Sequence, residues 1–171
     1  MENILESQQI NFLTMADYNK KYKVDDRLLA SVAYFAEDSI LITEPNLKSP
    51  GPKIVYVNLG FTKLTGYKLQ DVLGKNPRLL QGPKTDRVVL NHLKTVLQKG
   101  EVFHGRAINY RKDGSEFWNE WHIEPIRDEK GKVINYLAIQ RDVTERMNET
   151  KAIEDKNAAL REILEQIQFE K

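Results

Sequence analysis

Cysteine is absent from all 171 residues of this chain. That absence excludes disulfide bonds, thiolate metal sites and cysteine nucleophiles together. Long apolar runs are missing too, and no stretch approaches the ~20 apolar residues that a membrane-spanning helix needs. The N-terminus opens with an acidic residue and shows no signal-peptide pattern. We therefore expect a cytoplasmic protein that has no membrane partner.

An excess of either charge is also missing, since 26 lysines and arginines face 25 aspartates and glutamates, for a net charge of +1. This balance gives no electrostatic basis for direct nucleic-acid binding. The phosphate-binding loop, the dinucleotide fingerprint, G-x-S-x-G and H-E-x-x-H are all absent, so we predict that the chain is not an enzyme. His92, His104 and His122 lack metal-ligand spacing, so no metal site is predicted.

The two ends of the chain are predicted to be helical. Residues 1–37 form an N-terminal extension whose pattern leaves open a frayed arm or a helical cap on the domain or on a partner. Its apolar residues recur at helical spacing in the second half and less regularly in the first: Leu28, Leu29, Val32 and Phe35, then Ile10, Leu13, Tyr18 and Tyr22.

Residues 145–171 contain no glycine or proline and are predicted to form one helix. A narrow apolar seam with one polar member alternates spacings of four and three, which is typical of a coiled coil. An amphipathic helix folded back on its own sheet remains the alternative. We favour a homodimer through the terminal helices, with an effector domain or protein beyond the C-terminus. The seam residues are Ile153, Asn157, Leu160, Leu164 and Ile167.

The central region, residues 38–144, is predicted to be an α+β domain. Two short strands, at 39–43 and 54–57, flank a proline-rich loop, and helical pieces follow at 58–65, 68–73 and 86–99. Asp86 is suited to cap the last piece. Three further strands centre on Ala107, Asn119 and Ala138 and are joined by short turns. This order predicts a five-stranded antiparallel sheet with its short helices on one face.

Three carboxamides fall on the same face of that sheet. Strand alternation groups Asn119 with Trp121, and it groups Gln140 with Ile134, Tyr136 and Ala138. Asn109 joins them from the first strand of the meander. Because a carboxamide offers both a donor and an acceptor, such a set suits a flat ring edged with C=O and N–H groups. Bonds among the amides themselves, or to backbone, remain the alternative.

Several motifs in this region resemble the LOV (light-oxygen-voltage) branch of the PAS domain family. The stretch GKNPRLLQGPKTD at 74–86 is similar to the LOV signature G-x-N-C-R-F/L-L-Q-G, which P-x-T-D usually follows. The resemblance covers about residues 38–144, and its pieces occur in order with the family spacing. The other matches are ITEP at 42–45, LTGY at 64–67, NYRKDG at 109–114, FWN at 117–119 and QRDVT at 140–144.

The resemblance implies that the domain binds FMN. The family positions that bind the edge of the flavin ring are matched here by Asn109, Asn119 and Gln140. The positions that contact the ring or the ribityl chain are matched by Asn76 and Gln81. Arg78 matches the phosphate-binding arginine, whose forked donors suit phosphate. Lys94 stands where the family usually has a second arginine, and it offers a point charge without the fork. Trp121 lies on the amide face and completes the expected set of cofactor-binding residues.

Pro77 replaces the cysteine that forms the photochemical adduct in this family, and no other thiol exists to substitute for it. The expected activity is therefore blue-light photoreduction to a neutral semiquinone, with Trp121 or Tyr136 as possible electron donor. Gln140 would then pass the change through Asp142 to the C-terminal helix. The alternatives are a flavin-free PAS dimerisation or relay module, and a flavin redox sensor that is independent of light.

Overall fold

The computed structural model describes residues 25–169, with side chains described up to residue 166. Five strands form one antiparallel sheet in the spatial order β2-β1-β5-β4-β3. The α+β fold predicted from the sequence is confirmed. The strands are β1 (Ser39–Thr43), β2 (Ile54–Val57), β3 (Phe103–Tyr110), β4 (Glu116–Arg127) and β5 (Val133–Asp142).

The helices between the strands lie against one face of this sheet. They are α2 (Leu59–Thr65), α3 (Leu69–Val72), a 3₁₀ turn (Pro77–Leu80) and α4 (Arg87–Gln98), while α1 (Asp26–Phe35) and α5 (Thr144–Phe169) flank the domain. Local sequence sets their ends. The Asp86 carboxylate accepts hydrogen bonds from the Val88 and Val89 amides, which confirms the predicted cap of α4. Gly66 ends α2 in the left-handed conformation that glycine tolerates best.

The sheet has one buried face and one partly exposed face. In β4, residues 117, 119 and 121 are buried while residues 118, 120 and 122 are only half-buried, as period-two alternation requires. Phe61 and Val72 from the helices are fully buried against β1, β2 and β5. Each such side chain contributes ~1.5–3 kcal/mol to folding. Phe103 and Leu97 join α4 to the other end of the sheet.

One residue of the predicted inner face is exposed. Ile134 was grouped with Gln140 by alternation, but its side chain is 41% exposed. It lies at the start of β5, two residues before the buried Tyr136, and the core clusters do not extend to it. Alternation therefore gave the correct side of the strand but not the edge of the core.

The terminal helices carry apolar side chains that nothing in the described chain covers. No residue of α1 is buried, and Val32 and Phe35 are 62% and 70% exposed. Beyond its first turn α5 is exposed as well, including the predicted seam residues Ile153 and Leu164. The described part of α5 does not fold back on its own sheet. Three predicted apolar positions, Ile10, Leu13 and Tyr18, lie outside the described residues, as do Tyr22 and the Ile167 side chain.

None of the described helices has the length and apolar character required to cross a bilayer.

Candidate functional site

A cavity of about 400 Å³ lies between the inner face of the sheet, the 3₁₀ turn, α4 and the loop that joins β1 to β2. Apolar side chains from β1, β5 and α4 form much of its wall, including Leu41, Ala138 and Leu90. Its volume falls in the range of small-molecule sites. The cavity brings together all but one of the residues assigned to the cofactor site from the sequence: Asn76, Arg78, Gln81, Lys94, Asn109, Trp121 and Gln140.

Asn119 is the exception, because it does not line the cavity. It is fully buried and donates from Nδ2 to the Asn109 Oδ1 atom at 3.0 Å, while Asn109 donates to the Ile108 carbonyl. The remaining acceptor, Asn119 Oδ1, is buried and has no hydrogen-bond partner. Buried polar groups are nearly always paired, so this acceptor indicates that the amide set is incomplete without a donor from elsewhere.

The mouth of the cavity is cationic. Arg78 comes from the 3₁₀ turn, and Arg87 and Lys94 come from one face of α4, with Asn91 between them. No carboxylate lines the cavity within the described chain. Sequence reasoning missed Arg87, although residues 87, 91 and 94 follow the i, i+4, i+7 spacing of one helix face. This mouth is suited to an anionic group such as phosphate.

Asn76 and Pro77 shape the turn that carries Arg78. The Asn76 amide oxygen accepts from the Arg78 N–H, and its nitrogen donates to the Pro50 carbonyl at 2.9 Å. Both ends of Asn76 therefore hold protein groups, and the residue fastens the β1–β2 loop to the turn. Pro77 occupies the first position of the turn, where its missing N–H costs little, and its ring lines the cavity.

A clamp fixes the segment that links this turn to α4. The Thr85 hydroxyl donates to the Ile108 carbonyl at 2.7 Å and accepts from the Gly82 N–H. The Tyr110 ring lies so close to Gly82 that an added Cβ would sit 2.2 Å from it. The Tyr110 hydroxyl also accepts from the Lys84 N–H. The clamp therefore sets the position of the cationic residues against the amides on the sheet.

Gln140 belongs to a row of three buried residues across adjacent strands. It pairs with Ser39 on β1 and with Trp121 on β4. The Ser39 hydroxyl donates to the Gln140 Oε1 atom at 3.2 Å. Ser39 was not among the residues singled out from the sequence, because only the strand register places it beside Gln140.

Asp142 joins the end of β5 to the start of α5. One carboxylate oxygen accepts from the Thr144 N–H, and the other pairs with the Arg111 guanidinium at 2.6 Å. Partial burial alone would raise the pKa of Asp142, but the bonds from Thr144 and Arg111 outweigh it and hold the pKa below its ordinary value. Trp118 donates from its backbone to the Thr144 hydroxyl, which fixes the first turn of the helix to β4.

A second, open concavity of about 520 Å³ lies on the outer face of the sheet. Arg141 and His122 line it, but each is already paired, with Asp38 and Glu124 respectively. His122 also faces His104 across the strands, a contact that the sequence spacing did not reveal. The described residues contain no cluster that could hold a metal ion. The inner cavity is therefore the better site for a ligand.

Comparison with known proteins agrees with this fold. The profile of the family described as "PAS domain" matches residues 37–145. Phototropin-2 of Oryza sativa subsp. japonica is 43% identical over 95 residues, which cover 56% of this chain and 10% of that protein. A blue-light-activated histidine kinase of Brucella anthropi is 38% identical over 105 residues, covering 61% of this chain and 21% of the kinase.

Among solved structures, one described as "Flavin Analogue Sheds Light on Light-Oxygen-Voltage Domain Mechanism" superposes with a TM-score of 0.64. The two are 38% identical, and the match covers 80% of this chain and 98% of that one. The chain belongs to the LOV branch of the PAS family. Its relatives include a phototropin and a blue-light-activated histidine kinase.

The LOV domain spans only about a tenth to a fifth of the phototropin and the kinase. Its cavity fits the flavin that its family implies. The edge of a flavin ring carries donors and acceptors that suit the cavity-lining amides Asn109 and Gln140, and a phosphate would meet the cationic mouth. Pro77 stands in the cavity wall where the LOV signature has cysteine. The fit therefore concerns binding of the ring, and it does not extend to thiol chemistry.

Proposed function

We propose that this LOV domain binds FMN and senses blue light through reduction of the flavin rather than through a cysteine adduct. The observation that supports this most strongly is the cavity itself. Its amide set retains an unpaired buried acceptor at one end, and three cations stand at its mouth. In a flavin-free PAS module that acceptor would stay buried without a hydrogen bond, which would lower the stability of the fold by ~1–3 kcal/mol.

The roles of the binding residues follow from their places. Asn109 and Gln140 would hold the polar edge of the ring, and Asn119 would support Asn109 from behind through its hydrogen bond. Gln81 lies where it can meet the ring or the ribityl chain. Arg78, Lys94 and Arg87 would hold the phosphate. The Asn76 side chain already bonds the Arg78 N–H and the Pro50 carbonyl. We therefore assign Asn76 the role of holding the turn in place rather than a strong direct contact with the flavin.

Bound flavin would supply light-driven one-electron chemistry. Trp121 would be the electron donor held in the cavity wall, and an external thiol would reduce the oxidised indole again. Trp121 and Tyr136 both line the cavity and are buried. Burial raises the pKa of Tyr136, and its hydroxyl donates to the Leu97 carbonyl, which is not a base. Because oxidation of a phenol releases its proton, Trp121 is the better donor of the two.

The signal would leave the cavity through Gln140. A change from acceptor to donor at N5 would favour rotation of the Gln140 amide, and Asp142 lies two residues along the same strand at the base of α5. The exposed apolar residues of α1 and α5 suit a homodimer, and α5 leads away from the domain toward an effector. Catalysis, where it occurs, would belong to that effector and not to the sensor domain.

An absorption spectrum of the purified protein, before and after blue light with a thiol reductant, tests the proposal. Flavin absorption in the dark, followed by a broad longer-wavelength band after illumination, is the expected result. Bleaching to a single near-ultraviolet band would contradict the reduction mechanism. A colourless protein that takes up no added FMN would favour the flavin-free PAS module.

The absence of thiols favours a second candidate, a flavin redox sensor for which light is incidental. Chemical reduction in darkness distinguishes the two. If dark reduction changes α5 as fully as illumination does, and at potentials found in cells, redox state is the input. If only illumination populates the changed state at those potentials, the domain is a photoreceptor.

A further inference from the structure

Trp121 is the one residue of the described chain that lines both concavities. It is buried in the wall of the inner cavity, and it also borders the open concavity of about 520 Å³ on the outer face of the sheet. A single layer of backbone therefore separates the indole from a surface that small molecules in solution can reach. The function proposed above needs an external thiol that restores the oxidised indole, and this surface is the nearest approach to it from outside the cavity.

Backbone forms the floor of the outer concavity. Gly105 and Trp121 lie opposite each other on β3 and β4, and both belong to the rows whose side chains face the inner side of the sheet. The Phe103 ring fills the space where a Gly105 side chain would stand, 2.4 Å from an added Cβ. Its centroid is 6.4 Å from that of Trp121. Because these side chains turn inward, the outer surface at this point is open backbone.

Two rungs of outward-facing side chains wall this floor. Each rung runs across β3, β4 and β5, and the two rungs stand on opposite sides of the Gly105–Trp121 pair. The rungs are His104, His122 and Ile139 on one side, and Arg106, Glu120 and Arg141 on the other.

Arg106 is the one charged member of the second rung that lacks a partner in the described chain. Glu120 pairs with Arg146, and Arg141 pairs with Asp38, each at 2.6 Å. Arg106 is exposed, and it makes no ion pair or side-chain hydrogen bond within residues 25–166. Its guanidinium is therefore available to a small carboxylate that enters the concavity.

The histidine rung offers a proton acceptor. An ionised Glu124 only accepts hydrogen bonds, so the His122 Nε2 atom that contacts it is the donor. With both rings neutral, His122 Nδ1 then accepts from His104 Nδ1 at 3.1 Å. This leaves the Nε2 atom of His104 as an acceptor, on an exposed ring that lines the concavity.

We propose that the outer concavity docks a small anionic thiol, a molecule that carries both a carboxylate and a sulfhydryl group, and that this thiol re-reduces Trp121. The proposal rests on the flavin-driven oxidation of Trp121 proposed above. The carboxylate pairs with Arg106, which directs the sulfur toward the backbone floor over the indole. The His104 Nε2 atom takes the sulfhydryl proton and passes it to water.

The atoms and electrons of this step balance within the thiol. Loss of one electron leaves the Trp121 indole as a radical cation. The docked thiolate returns one electron to the indole and becomes a thiyl radical, and two thiyl radicals join through a new S–S bond as a disulfide. Each thiol loses one S–H bond, whose proton passes through His104 to solvent, and no bond to the protein forms.

Mercaptoacetate, which is anionic, and mercaptoethanol, which is neutral, test the docking role in the FMN-loaded protein. The measured quantity is the rate at which oxidised-flavin absorption is lost under constant illumination, at thiol concentrations where that rate is proportional to thiol. At low salt we expect Arg106→Ala to slow the reaction about tenfold with mercaptoacetate and less than about twofold with mercaptoethanol. Each comparison is made within one thiol, so its intrinsic reactivity cancels. Arg106→Lys should retain most of the rate. Equal slowing with both thiols would overturn the docking role.

Two controls confine the effect to the concavity. Arg161→Ala makes the same change in net charge on α5, at a residue that does not line the concavity, and should leave both rates unchanged. In a Trp121→Phe background the dependence on Arg106 should disappear, because the docked thiol has no indole to reduce. A tenfold effect that persists there would overturn the route through Trp121.

His104→Phe tests the transfer of the proton. It should slow both thiols by the same factor, about threefold, since each loses the same proton and water replaces the imidazole only in part. Slowing confined to mercaptoacetate would show that His104 acts through charge and would overturn its role as proton acceptor.

Binding in darkness separates the docking site from the flavin assignment. In flavin-free protein, mercaptoacetate should shift the amide NMR signals of Gly105 and Trp121 saturably, and Arg106→Ala should weaken this binding by about fivefold or more. If the parent takes up no flavin yet the shifts appear, the flavin assignment is wrong and the anion site stands. If the shifts are absent with and without flavin, the docking site is wrong.

Discussion

Strand β4 places polar residues on both faces of the sheet, and the two faces treat them differently. On the outer face Glu120 pairs with Arg146 at 2.6 Å, and His122 pairs with Glu124. On the inner face Asn119 has one bond, to Asn109, and one buried oxygen without a partner. The outer charged groups pair with one another and solvent is nearby, whereas the inner amides leave one buried acceptor unpaired.

The difference predicts where substitutions are costly. The outer ion pairs are largely exposed, and such pairs contribute ~0–1 kcal/mol each. The inner amides are sealed from water, so a lost partner is not replaced by solvent.

Asn109→Leu should have the largest effect. It removes the acceptor for Asn119 Nδ2 and leaves that donor buried, which costs ~1–3 kcal/mol of unfolding free energy. It also removes a ring contact, and we expect FMN affinity to fall by about 100-fold. Denaturant unfolding and fluorescence titration measure the two effects.

A paired substitution serves as the control. Asn109→Leu with Asn119→Leu removes both partners of the buried bond, so it should recover much of the lost stability without recovering FMN binding. Wild-type affinity in either variant would show that the amides only pair with each other.

Arg87→Ala tests the mouth of the cavity and should have a smaller effect. We expect it to weaken FMN binding by about tenfold and to leave riboflavin binding unchanged, because only FMN carries the phosphate. Arg106→Ala on β3 is the matched control, since Arg106 belongs to the outer concavity and not to the inner cavity. Equal losses for both flavins would assign Arg87 to ring contact or to folding.

The pH dependence of stability tests the junction of sheet and helix. Bonds from Thr144 and Arg111 outweigh burial and lower the pKa of Asp142, and the Arg141 partner lowers the pKa of Asp38. A lowered pKa stabilises the folded state above the ordinary value of 3.8, and this stability is lost as the pH falls through the folded pKa.

Asp142→Asn should therefore be less stable than the parent at pH 7, and the difference should disappear under strongly acidic conditions. Thermal unfolding across this pH range provides the measurement. A difference that persists unchanged in acid would mean that Asp142 acts through packing and not through its charge.

Arg146→Ala should have the smallest effect. It breaks the outer Arg146–Glu120 pair, whose side chains are 58% and 37% exposed, and we expect a loss within ~0.5 kcal/mol. FMN affinity should not change. A loss comparable with that of Asn109→Leu would show that the two faces of β4 do not differ in the way described here.

Short-range patterns were sufficient to predict the elements of the fold. Alternation placed Asn119 and Trp121 on the inner face, and a single aspartate before an amphipathic run located the start of α4. These features depend on residues a few positions apart. Ile134 is on the predicted side of its strand and is nevertheless exposed, because the boundary of the core depends on the helices above the sheet, which alternation within one strand does not record.

Long-range contacts could not be predicted in the same way. The bond from Asn76 to Pro50 joins residues 26 positions apart, and the one from Ser39 to Gln140 joins residues 101 positions apart. Both depend on strand register and loop path. Arg87 differs from these cases, because the periodicity of α4 alone could have indicated it. The family resemblance points to Arg78 and Lys94 for the phosphate and carries no signal for Arg87.

The cavity links the amount of this protein to the supply of its ligand. A ligand that binds only the folded chain adds RT ln(1 + [L]/Kd) to its stability, or ~2.7 kcal/mol when it exceeds Kd by about 100-fold. Newly made chains that find no flavin would retain the open cavity and the unpaired Asn119 oxygen, and would unfold more often. Proteases act on such openings, so flavin-poor cells would hold fewer copies of the sensor, independently of any light signal.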